Sequence, residues 1–339
     1  MDQIIIGKLR LFNLGLRWVQ QNLFSNLGNS VLTLICTLGL YQLVSSFCSW
    51  AFSTAQWQVI GTNLPIFLVG RYPVDQYWRI WLVLLILLSL CSLELCKKLE
   101  ILKINWLSWF WLAFTPLALW LIGGGFGLKP VGVNLWNGLL LTLLMAIAGI
   151  VLSFPLGLLL ALGRQSSMPV ISALSTAYIE ILRGLPLIGI LFMAQVMLPL
   201  ALPPELQIDR VLRAIAGFTL FSAAYLAENV RGGLQSVPQG QTQAAMALGL
   251  STPAILWLIV LPQALRAVTP AIAGQFIGLF KDTSLVSIVG LVDLMGIGRS
   301  VLAQPNFVGR YAEVYLFIGS IYWLFCYGIS RFSKNLEYR

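Results

Sequence analysis

The side chains able to do chemistry in this sequence sit in a few short stretches: Glu180 with Arg183, Glu228 with Asn229 and Arg231, Gln275, and the run Lys281, Asp282, Thr283, Ser284. An acid and an arginine three residues apart share a helix face, so each of the first two pairs reads as a local ion pair or as charge offered to a partner. Lys281 and Asp282 read either as an interfacial charge pair, since lysine snorkels to headgroups, or as groups shaping the mouth of a path. The stretch Gly123, Gly124, Gly125, Phe126, Gly127, Leu128, Lys129 has the outline of a phosphate loop, but Pro130 stands where the magnesium-holding Ser or Thr belongs. The chain has no histidine, which removes His-based triads, the usual general base and the commonest metal ligand together. Cys36, Cys48, Cys91, Cys96 and Cys326 show no metal-ligand spacing and read as packing residues. No catalytic residue, metal site or bound cofactor is expected on this chain.

The elements that hold these groups must be membrane helices. Of 339 residues 58% are hydrophobic and 10% charged, with a mean hydropathy of +0.86, against about 25% charged in a soluble domain. Apolar runs predict spans near residues 30 to 51, 78 to 95, 105 to 123, 135 to 163, 185 to 201, 212 to 232, 263 to 280 and 312 to 332, which makes about eight. The stretch from Leu285 to Leu302 carries Asp293 and Arg299 among Gly290, Gly296 and Gly298, and reads as a segment dipping into the protein. Lys8, Arg10 and Arg17 among apolar residues suggest a basic amphipathic helix on the membrane surface.

The net charge of +9 comes from basic residues placed singly at the ends of apolar runs, which argues for orientation and against nucleic acid. With the N-terminus inside, 13 basic residues fall in the cytoplasm and 8 outside, and both termini are cytoplasmic. Two parts are expected: residues 1–124, an amphipathic helix with three peripheral spans, and residues 135–335, a five-helix core holding the small residues and the polar positions.

Between the sixth and seventh expected spans, at about 236–262, the pattern is that of a short helical hairpin. Pro238 starts a helix that runs through Gln243, Ala244 and Ala245 and stops at Gly249; Thr252 caps a second, with Pro253 in its first turn, which Pro262 ends. Ala244, Ala245, Gly249, Ile259, Leu261 and Pro262 match in identity and spacing the cytoplasmic loop signature of ABC-importer permeases, with Gln243 where that pattern has Glu. Tyr178 to Pro186, Tyr225 to Gly233 (YLAENVRGG) and Lys281 to Leu285 (KDTSL) are similar to three further signatures of polar amino-acid permeases. Over roughly residues 135 to 335 the chain resembles that HisM-like family, in its longer, eight-span type.

The resemblance implies an all-α polytopic protein of the bacterial inner membrane with a type I ABC-importer permease core. It implies that amino acids pass inward by alternating access, and that the chain is not itself an enzyme. The implied partners are an ABC ATPase subunit that binds ATP and magnesium, a second permease, identical or homologous, and an extracytoplasmic solute-binding protein. Gln243, Ala244, Ala245, Gly249, Ile259, Leu261 and Pro262 would couple to the ATPase. An amino acid carries both an ammonium and a carboxylate, so a transient site needs an acceptor and a donor at membrane depth, for which Glu228, Asn229, Gln275, Lys281, Asp282, Thr283 and Ser284 are the candidates. The alternative is an ion-gradient-driven secondary transporter, which typically shows intramembrane carboxylates and an internal repeat and has no use for the hairpin.

Overall fold

The computed structural model describes residues 18–98, 107–203 and 208–337. The helix expected around Lys8, Arg10 and Arg17 lies outside them. The described residues are helical without a strand, and their contacts divide the chain into two units, residues 1–57 and 58–339. The first unit holds α1 (Leu27–Ser49), prolonged by a π turn over Trp50–Thr54. Asn26 starts α1 by accepting from the Asn29 N–H at 2.8 Å, and no α1 residue is buried.

The second unit opens with α2 (Gln58–Val69), followed by α3 (Tyr77–Lys98) and α4 (Leu107–Gly123). The sequence reading missed α2, because its 12 residues, about 18 Å of helix, are too few to cross a membrane alone; with the start of α3 it forms one apolar pair bent by 59°. The core continues with α5 (Gly138–Arg164) and, after α6 (Pro169–Gly184) and α7 (Leu187–Phe192), α8 (Arg210–Ser236). The span expected at 185 to 201 is the second limb of a pair bent by 102°. Pro186 forces Leu185 into an extended conformation (φ −98°, ψ 139°), so the helix ends there and restarts in a new direction.

The chain continues as α9 (Gln239–Ala247), α10 (Thr252–Ile255), α11 (Leu261–Asp282), α12 (Leu294–Leu302) and α13 (Tyr311–Glu337). Helix α8 packs on α5, α11 and α6, and α11 packs on α13. Helix α12 has nine residues, about 14 Å of helix, too short to cross a membrane. It packs one face among α2, α5 and α13, with Arg299 and Ser300 exposed on the other. Among the described residues five helices are long and apolar enough to span, seven if each bent pair counts as one crossing; the eight of the sequence reading also needs the shorter Ala113–Gly123 helix.

Close approach of α8 and α11 depends on one glycine. A Cβ on Gly233 would lie 2.6 Å from the Ala264 carbonyl oxygen, whereas Gly232 faces open space. We expect Gly233→Ala to force the helices apart and lower the stability of the purified complex by about 1–3 kcal/mol. Gly232→Ala gains up to about 1 kcal/mol of helix propensity instead. Thermal unfolding of both variants checks this, and equal effects would remove the contact from the account.

Candidate functional site

The hairpin begins where α8 ends. Pro238 precedes α9, whose last turn closes on Gly249 at φ +77°. The Gly249 N–H donates to the Met246 carbonyl at 2.9 Å and the Leu250 N–H to the Ala245 carbonyl at 3.2 Å, the paired bonds of a Schellman stop that needs a left-handed residue at this position. The next helix is capped at Ser251, not at the expected Thr252, which is already its first helical residue.

Pro262 does not end that second arm. Thr252–Ile255 runs through a π turn, Leu256–Val260, into α11, so 36 residues from Thr252 to Ser287 form one apolar helical run. The Leu261 N–H reaches back to the Leu256 carbonyl, and this wider turn makes room for the ring of Pro262. At 1.5 Å per residue the run is about 54 Å long against a hydrocarbon core of about 30 Å. The hairpin arm and the span beneath it are therefore one rod.

Of the seven residues assigned to the loop, Gln243, Ala244, Gly249 and Pro262 are exposed and Ile259 is half-buried. Ala245 and Leu261 are buried. Ala245 packs inside the hairpin and Leu261 against Ile179, Val230 and Leu234 at the foot of the bundle. Two neighbouring alanines on a helix point about 100° apart, and only Ala244 looks outward. Met246 and Leu248, 56% and 82% exposed, are the large apolar side chains presented beside it; the sequence reading missed them because the family signature is written in the small residues.

Directly above the hairpin lies a charge cluster. The Glu228 carboxylate, on α8, accepts from Arg164 of α5 at 2.5 Å and from Arg231 at 2.8 Å, and Arg183 of α6 stands 3.6 Å away. Arg164 also holds Glu180 at 2.9 Å. Glu228 and Arg231 thus form the expected pair. Glu180 reaches across to α5 instead of to Arg183, which turns to Glu228 and lies over the Tyr225 ring. Arg164, the hinge of the cluster, carried no motif in the sequence. Glu228 is held by three guanidinium groups from three helices, which ties α5, α6 and α8 together.

The other proposed path residues are spread along the bundle and do not form one pocket. Half-buried Gln275 approaches buried Ser222 across the α8–α11 seam at 3.5 Å, and Asn229 is half-buried on α8. At the far end of α11, Lys281 is exposed and makes no ion pair with Asp282, because adjacent helical residues diverge. The expected pair is therefore not a salt bridge, and Lys281 acts on the Asp282 carboxylate through its charge alone. Thr283 is buried, donating to the Phe280 carbonyl at 2.7 Å beside the Tyr322 hydroxyl, while Ser284 is half-buried.

Tyr322 also approaches the fully buried Asp293, whose carboxylate caps α12 through the N–H groups of Met295 (3.1 Å) and Gly296 (2.9 Å). Burial pushes the Asp293 carboxyl up to about 6, opposed by those N–H donors and by Tyr322. The Thr142 hydroxyl accepts from the Leu294 N–H at 3.1 Å, tying α5 to the same node.

Residues 153–339, more than half of the chain, match the family described as binding-protein-dependent transport system inner membrane component. The chain is 42% identical to the inner membrane amino-acid ABC transporter permease protein YhdY of Escherichia coli (strain K12), over 95% of this chain and 92% of that protein. It is 36% identical to the glutamate/glutamine/aspartate/asparagine transport system permease protein BztC of Rhodobacter capsulatus, over 95% and 93%. A crystal structure of an amino acid ABC transporter with histidines aligns at 27% identity and a TM-score of 0.54, covering 70% of this chain and all of that one. Together with the hairpin and the helical core, these likenesses show that the chain belongs to the family of binding-protein-dependent transport system inner membrane components.

Proposed function

We propose that this chain is the membrane permease of an ATP-binding-cassette importer that carries amino acids, polar or broad-range, into the cytoplasm by alternating access. The observation that supports it most is the exposed hairpin built as one rod with a span, since such an arm carries an external push into the membrane without a flexible joint. ATP and magnesium belong to a separate ATPase that receives Ala244, Met246, Leu248 and Gly249. The bias arising there moves α11 against α8 through the Gly233–Ala264 contact and shifts the population of two helix arrangements. A solute-binding protein delivers the amino acid at the opposite end, and a second permease, identical or homologous, completes the path. Gln275 with Ser222, halfway along the seam, offers the donor and acceptor that a passing zwitterion needs.

The division of basic residues supports both termini in the cytoplasm, with the hairpin on the same side. A reporter fused after Arg339 is expected to be cytoplasmic, and a periplasmic location would overturn this orientation. Isolation of the intact complex tests the partners: an ATPase and a second permease are expected to co-purify, with a solute-binding protein that carries an amino acid. Transport by this chain purified without an ATPase would contradict the reading.

A further inference from the structure

At the end of the bundle opposite the coupling hairpin, separated from it by the 27 residues of α5, about 40 Å of helix, the chain between α4 and α5 folds into a tight finger. The Gly125 and Leu128 backbones exchange bonds of 3.0 and 3.1 Å, and the Val131 N–H closes the base on the Gly123 carbonyl at 2.8 Å. Arg79, 1% exposed, donates to the Lys129 carbonyl at 2.8 Å, and the Trp120 indole N–H donates to the Gly125 carbonyl at 3.1 Å. At the tip stands Phe126, 98% exposed and held at φ +48°, a left-handed conformation that a bulky residue adopts rarely.

We propose that this finger is a docking element for the extracytoplasmic solute-binding protein, with Phe126 as its anchoring side chain. The other strongly exposed apolar side chains of this unit lie mostly on helices, where lipid covers them; Phe126 stands on a two-bonded turn. The Phe126 and Gly127 N–H groups in that turn make no hydrogen bond among the described residues, which hydrocarbon does not tolerate, so the tip belongs on the water side of the membrane. An aromatic side chain with only two torsions, carried on a braced backbone, is the kind of residue that concentrates binding energy, because little order is lost when a partner closes over it. The finger also precedes residue 153, where the family match begins, so it adds a contact to the shared core.

The inference rests on the importer reading and on the orientation given above, and the experiment separates the three. In the intact complex in nanodiscs, ATP hydrolysis is titrated with the solute-loaded binding protein. Phe126→Asp is expected to raise the half-saturating concentration of binding protein about tenfold with the maximal rate unchanged, while Phe126→Trp stays near the parent. A benzophenone amino acid in place of Phe126 is expected to cross-link the binding protein in cells. An unchanged half-saturation for Phe126→Asp, or cross-linking to phospholipid alone, would overturn the proposal even where Phe126→Cys reacts with impermeant reagents from outside. Labelling from the cytoplasmic side alone would overturn the orientation and the proposal with it.

Discussion

Gly249→Asp is expected to abolish uptake while leaving the permease in the membrane at near-normal levels. The residue is in the left-handed region and its Cβ would meet no atom of the chain. The folding penalty is therefore backbone strain alone, about 1 kcal/mol, small against the 5–15 kcal/mol of a typical fold. What the substitution changes is the exposed surface: a carboxylate appears between Leu248 and Leu250, where an apolar partner surface has to close. ATPase binding should weaken, and hydrolysis should no longer respond to solute. Membrane content, co-purification of the ATPase and uptake are the three readouts. Normal uptake would sink the coupling role, and loss of the protein from the membrane would assign the glycine to folding.

Glu228→Gln is expected to reduce uptake more than tenfold and to lower the thermal stability of the complex. The carboxylate, with its side chain 15% exposed, neutralises guanidinium groups from α5, α6 and α8 at the level where the hairpin pushes. Its removal leaves those cations facing one another in a partly desolvated place, at a cost on the order of 3 kcal/mol. The double variant Arg164→Gln with Glu228→Gln should be less unstable than the sum of the singles, since one of the stranded charges is gone. Thermal unfolding of the four proteins of this cycle measures the coupling, and strictly additive losses would contradict the brace.

Much of this architecture is legible in the sequence because lipid demands long apolar runs, and because a glycine followed by Ser251, Thr252 and Pro253 has few ways to turn. The bend at Leu185–Pro186 was hidden because hydropathy counts apolar residues and is blind to direction. The continuity of the hairpin arm with α11 was hidden for the opposite reason: Pro262 normally stops a helix, and only the π turn before it lets the helix run on. Which of Ala244 and Ala245 faces outward depends on how α9 packs against the π turn, a tertiary fact. The bonds of Arg164 to Glu180 and Glu228 span 16 and 64 residues, a distance at which no local spacing gives a signal. Lys281 and Asp282 misled because opposite charges adjacent in sequence suggest a salt bridge, whereas adjacent residues on a helix point apart and interact through charge alone.

The most direct test of ATP-driven import through this chain is uptake of labelled L-amino acids by cells or proteoliposomes holding the complete complex, with the proton gradient collapsed and ATP maintained. Uptake is predicted to continue under those conditions and to stop when ATP is withdrawn. Uptake that stops on collapse of the gradient with ATP still present, or that runs without ATP, would contradict the account.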